Sequence, residues 1–158
     1  IYEKEIPVFV AGGVYVGGDM AHYIKVGASG VQIGTRFLAT KECDASEEFK
    51  KVIVDAKEED IILIDSPVGM TARAVDSPLL RRLRQGSKYQ ALQCNNCLRT
   101  CQKGELTPYC ISRALIEAVN GNYEDGLFFC GENAYRVNEI TTVEALMGQI
   151  EKEWRMHG

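Results

Sequence analysis

Apolar residues fall in short, separated runs along this chain, and the spacing inside each run predicts alternating strands and helices. Residues 6–11 hardly alternate with polar ones, which suits a parallel strand buried on both faces. A helix is expected from Gly18 to Val26, with Met20, Tyr23, Ile24 and Val26 on its apolar side, Asp19 near its cap and Gly27 at its stop. Residues 30–34 read as the next strand. Asp44, with Glu47 three residues on, resembles a capping box, and Phe49, Val52, Ile53 and Ala56 then recur at helical spacing. Ile61 to Asp65 is a short strand with Ala72 to Val75 as its expected partner, and Pro67 and Gly69 punctuate between them. Ser77-Pro78 opens a helix to about Gln85, stopped at Gly86. Thr107-Pro108 opens another through Val119, stopped at Gly121. A last helix is expected from Thr141, with Glu144 three residues on, to about Trp154. The change of pattern near residue 60 divides the chain into a β/α part, 1–60, and a mainly helical part, 61–158.

Composition narrows the field. The 158 residues are 46% hydrophobic and 25% charged with a net charge of −4, the profile of a globular protein. No extended basic stripe supports nucleic-acid binding, and Arg81, Arg82, Arg84 and Lys88 read as the solvated face of a helix. No apolar run approaches the ~18 residues of a membrane span, and no secretory signal opens the chain. A cytoplasmic location is the expectation.

The densest chemical signal is a pair of glycine turns. Ala11-Gly12-Gly13 closes the first strand, and Gly34-Thr35 closes the second. A strand–glycine–helix–strand–glycine unit places backbone N–H groups around a phosphate, because glycine lets an anionic oxygen approach the main chain. Thr35 adds a hydroxyl donor. Two ligand-free tight turns are the plain alternative. Arg36 either faces the phosphate or solvates the rim.

The stretch from Ile6 to about Ala56, with AGG at 11–13 and QIGTRF at 32–37, resembles the flavin enzymes that include nitronate monooxygenases (2-nitropropane dioxygenases) and flavin-type enoyl-acyl-carrier-protein reductases. A weaker likeness continues through SPVGMTAR at 66–73 and FCGENAYRV at 129–137. The resemblance implies an α/β fold: the C-terminal portion of an FMN-binding (β/α)8 TIM barrel, its seventh and eighth strands, followed by a helical capping region. It implies that Ala11, Gly12, Gly13, Gly34 and Thr35 hold the FMN phosphate and that Gly131, in a late glycine loop, approaches the flavin. Glu132 and Asn133 would bond the ring or the substrate. A whole barrel needs roughly 200 residues or more, so the chain is expected to be a fragment that requires the preceding barrel segment, or another chain at its open sheet edge. The family's catalytic histidine base is expected upstream of Ile1; His22 and His157 match no such position. Oxidation of alkyl nitronates with O2 is the leading expectation, with NAD(P)H-dependent enoyl reduction as the alternative.

Four of the six cysteines read C-x2-C-x3-C-x8-C at Cys94, Cys97, Cys101 and Cys110. Sulfur at such spacing can surround zinc or an iron–sulfur cluster, although it matches no common zinc or ferredoxin pattern and the family's flavin chemistry needs no metal. Free thiols are the favoured expectation, a disulfide the least favoured in a reducing compartment. A non-catalytic metal-binding or interaction module built on this segment, and a phosphate-binding barrel enzyme without flavin, are the rival classes. Met70 is placed over the active-site mouth or in plain packing. His22 is read as structural or exposed.

Overall fold

The computed structural model describes residues 5–101 and 107–158. Strand β1 (Phe9–Ala11) runs parallel to β2 (Gly30–Gln32), with Phe9 opposite Gly30 and Ala11 opposite Gln32. Helix α1 (Gly17–Val26) makes the crossover between them. Its N-terminus is capped in reverse: the Asp19 carboxylate accepts from the N–H groups of Tyr15 (2.8 Å) and Val16 (3.0 Å). Gly27 ends it at φ 111°, a left-handed geometry that a Cβ disfavours. A four-residue helix, α2 (Thr35–Leu38), starts directly at the second glycine turn.

Helix α3 (Glu47–Asp55) is capped by Ser46, whose hydroxyl accepts from Phe49 N at 3.2 Å. The cap expected at Asp44 therefore belongs two residues later; both residue types cap well, and the backbone approach to the helix selects Ser46. Strands β3 (Ile61–Asp65) and β4 (Thr71–Val75) form the expected antiparallel hairpin. Helix α4 (Pro78–Arg84) begins with proline at its first position. Helix α5 (Ile111–Val119) begins three residues after the expected Pro108, because residues 89 and 109 pair as an isolated bridge and keep that stretch extended. Helix α6 (Val143–His157) is capped by Thr142, which accepts from Ala145 N at 3.1 Å, and not by Thr141, whose N–H and C=O are engaged with Ala39 and Lys41.

Two apolar clusters hold these elements. The first joins Tyr15, Ala39, Phe49 and Ile53 to Val75, Ala118, Phe128 and Val137, so residues on both sides of position 60 share it. The second packs Leu79, Leu80 and Leu127 with Tyr109, Ile111 and Ala114 under the hairpin. Helix α6 returns to α1 at very close range. A Cβ on Gly17 would collide with the Ile150 carbonyl and the Trp154 N–H, and the Gly17 N–H donates to Glu153 Oε2 at 2.8 Å.

The first strand departs from expectation. Val8 is 60% exposed and Phe9 64%, where burial on both faces was expected. The physical reason is the strand count: the β1–β2 sheet has two strands, so nothing among the described residues covers its apolar face or its outer edges.

Candidate functional site: three glycine loops on one cavity

The turns that follow β1 and β2 come together at one end of the small sheet. Gly12 and Gly13 adopt φ 83° and 74°, and a Cβ built on either meets nothing within 4 Å. Their glycine identity thus serves backbone conformation and leaves open space in front of the turn. Gly34 is the N-cap of the four-residue α2, and its carbonyl accepts from Phe37 N at 2.9 Å. Both turns line a cavity of about 60 Å3, and so does the late loop at Gly131, Glu132 and Asn133.

The late loop ties the two turns together. Gly131 N donates to Thr35 Oγ1 at 2.7 Å, and Asn133 Nδ2 donates to Gly13 O at 3.0 Å. The Thr35 hydroxyl accepts there and keeps its own proton to give. A Cβ at Gly131 would lie 2.9 Å from that oxygen, so a side chain would break the contact. Asn133, expected to reach a ring or substrate, has its amide group committed to the Gly13 backbone. Glu132 is exposed and reaches Arg73 only at 3.5 Å. A 3-10 turn over Glu132–Arg136, unforeseen in the sequence, carries this loop.

Arg36 is also committed: its guanidinium donates to Tyr15 O (2.9 Å) and Gln149 Oε1 (3.0 Å) and lies 4.5 Å from the Tyr15 ring centroid. Arg136 lies 4.1 Å from the same centroid. Tyr15, just after the first glycine turn, is held between Arg36 and Arg136 by cation–π contacts of roughly 0.5–1 kcal/mol each, and the Arg36–Gln149 hydrogen bond ties this group to α6. Burial pushes the Tyr15 phenol up, against the two guanidinium groups, which pull it down. Sequence reasoning gave Tyr15 no role, and the only trace of one is its place two residues after Gly13.

Other expected residues lie elsewhere. Met70 sits exposed in the β3–β4 turn and does not line the cavity. His22 is exposed on α1, against Tyr23. The four cysteines of the C-x2-C-x3-C-x8-C pattern all line a separate cavity of about 390 Å3. Among the described residues, no three His, Cys, Asp or Glu side chains gather as a single metal ion requires. No helix among the described residues is long and apolar enough to cross a membrane.

Cys130, next to Gly131, has its thiol pushed up from 9.0 to about 11 by burial, against the pull of Arg73. Burial, with Asp65, likewise raises the Tyr109 phenol from 10.0 to about 12. Both groups favour their neutral form in the fold. Their stabilisation is complete below the unfolded values and is lost as pH rises through the folded ones. Urea midpoints are expected to hold up to about pH 9 and then fall progressively towards pH 12, with Cys130→Ala flattening the first part of the fall; a midpoint constant across that range would contradict it.

Known proteins resemble this chain in sequence and in fold. The sequence model of a family described as Nitronate monooxygenase matches residues 3–153. A probable nitronate monooxygenase of Staphylococcus aureus (strain Newman) is 35% identical over 80 residues, covering 51% of this chain and 22% of the relative. The structure of FabK from Thermotoga maritima superposes with a TM-score of 0.74 at 30% identity, covering 97% of this chain and 45% of that one. A nitroalkane oxidase from Streptomyces ansochromogenes shares the fold, with a TM-score of 0.71 at 22% identity over 98% of this chain and 41% of that one. This chain thus spans less than half of those structures and about a fifth of the curated relative. Its α/β fold is that of a partial FMN-binding barrel with an incomplete sheet and extensive helical capping.

Proposed function

Because the chain belongs to the nitronate monooxygenase family, we propose that the whole protein is an FMN-dependent oxidoreductase that oxidises alkyl nitronates with O2. The observation that carries this reading is the convergence of three glycine loops, at Gly12-Gly13, Gly34 and Gly131, on one small cavity beside the ends of two parallel strands. The residues present fit the FMN phosphate. Two turns leave their front face open, and one hydroxyl retains a proton to donate.

FMN, when bound, supplies the electron-transfer chemistry, and the protein supplies position and electrostatics. In this reading Ala11 ends β1 so that Gly12 and Gly13 turn at the phosphate. Gly34 and Thr35 present their N–H groups from the other side, and the Thr35 hydroxyl donates a further hydrogen bond. Gly131 and Asn133 brace the two turns against each other. Arg36 and Tyr15 hold the first turn from behind. Neither histidine of the chain lines the cavity; in this reading the catalytic base is supplied by the part of the barrel that the full-length relatives have and these residues do not include.

The second reading keeps these loops and changes the substrate to an enoyl thioester reduced with NAD(P)H. The resemblance in sequence covers that branch too, and the 30% identity to FabK extends over 97% of the chain rather than half of it. The test is oxygen uptake by the full-length protein with a simple alkyl nitronate, beside NAD(P)H oxidation with an enoyl thioester. Nitronate-dependent uptake with FMN released on denaturation is expected. Enoyl turnover alone would transfer the protein to the second reading, and a purified protein without flavin would sink both.

A further inference from the structure

The loop from Ala91 to Cys101 has no core of its own. None of its residues is buried, and it contains no helix or strand. It is nevertheless anchored at its rims. Tyr89 N donates to Pro108 O at 2.9 Å and Cys110 N to Tyr89 O at 2.7 Å. Arg113 donates to Gln90 O at 2.7 Å and lies over the Tyr89 ring at 4.3 Å. Between this loop and the start of α5 lies the cavity of about 390 Å3. Its walls are mostly apolar, with Leu98 and Ile116 among them, and all four sulfur-bearing residues of the motif line it. The remaining cysteines, Cys43 and Cys130, lie outside it.

A surface loop of this length, tied to the second apolar cluster within its own span only through the partly buried Leu98, has few buried contacts to offset its conformational entropy. A bound inorganic group supplies such energy directly. The choice of group follows from the spacing of the thiols. Tetrahedral zinc at about 2.3 Å from each sulfur brings the sulfurs within ~3.8 Å of one another, and among the described residues no three such side chains gather as a single metal ion requires. A cluster interposes its own iron and sulfide between the thiolates, so it needs the sulfurs spread around a cavity. Two further features suit an anionic cluster. Cys110 is the N-cap of the nine-residue α5, whose first-turn N–H groups offset negative charge. Ser112 Oγ lies 3.0 Å from Cys97 Sγ, within hydrogen-bond reach of a ligand sulfur.

We propose that Cys94, Cys97, Cys101 and Cys110 ligate an iron–sulfur cluster in this cavity. Each thiol gives its proton to solvent as its sulfur bonds to iron, and the cluster's iron and sulfide are supplied preassembled, with no electron taken from the protein. The site is independent of the flavin reading, since it shares no residue with the glycine-loop cavity.

The test is iron, acid-labile sulfide and zinc per chain in the full-length protein, purified anaerobically and again after reconstitution with ferrous iron and sulfide. Flavin is quantified separately. Equimolar iron and sulfide are expected, falling at least tenfold in Cys97→Ala and in Cys101→Ala and unchanged in Cys43→Ala. If a variant does not fold, the wild-type stoichiometry decides alone. Stoichiometric zinc without iron, no iron uptake on reconstitution, or iron and sulfide that persist in both folded variants would overturn the proposal.

Discussion

Valine in place of Gly13 is expected to weaken FMN binding by the full-length protein at least tenfold. Two independent costs add at this position. Gly13 sits at φ 74°, where a residue with a Cβ pays roughly 1–2 kcal/mol and a β-branched one the most. The new side chain also projects into open space in front of the turn, beside a cavity of only about 60 Å3. Since each ~1.4 kcal/mol is a factor of ten in affinity, the backbone term alone brings the loss near that size if the turn distorts, and the blocked approach adds to it. Flavin-fluorescence titration of the apoprotein measures it. Gly148→Ala is the control: that glycine lies in α6 with no neighbour within 4 Å of an added Cβ and no unusual φ, so affinity should stay at the wild-type value. Wild-type affinity in the Gly13→Val protein would show that the turn does not touch the phosphate.

The 158 residues expressed by themselves are expected to show no nitronate turnover and to bind FMN at least about a hundredfold more weakly than the full-length protein, a loss of ~2.7 kcal/mol. In the proposed reading they hold the phosphate turns but none of the further strands that would complete the sheet. The two parallel strands leave their outer edges unpaired among the described residues, and Ile6, Val8 and Phe9 are each 60–64% exposed. Apolar strands with free edges associate. Light scattering should therefore find oligomers or aggregates for the isolated chain. Co-expression with the barrel segment that precedes it in full-length relatives should restore a soluble, flavin-binding complex. A monomer of these residues that binds FMN tightly and oxidises a nitronate would mean that the chain has been placed wrongly within the barrel.

The elements that could be read in the sequence are those whose cause is local. Gly12, Gly13 and Gly27 mark turns because each needs a positive φ, a property of one residue and its neighbours. Pro78 marks a helix start because its ring presets φ and it lacks a donor. The β3–β4 hairpin follows from two apolar runs joined around Gly69. The two glycine turns could be paired by motif, since consecutive β/α units bring successive strand ends to the same side.

What only the tertiary structure decided depends on partners far along the chain. Asp44 and Ser46 are equally good caps by type, and the approach of the backbone selects Ser46. Pro108 is a sound helix start that the pairing of residues 89 and 109 overrides. Asn133 points to Gly13 across 120 positions, and Arg36 reaches Gln149 across 113, so no window of sequence contains either contact. Gly17 looks like any helical glycine until α6 packs its backbone against it. Local propensity and pattern thus determined where the chain turns and which positions are glycine turns, because those depend on φ, Cβ sterics and periodicity. Which side chains brace that site, and which apolar faces stay open, was settled by three-dimensional packing, where burial and hydrogen-bond satisfaction are decided between distant residues.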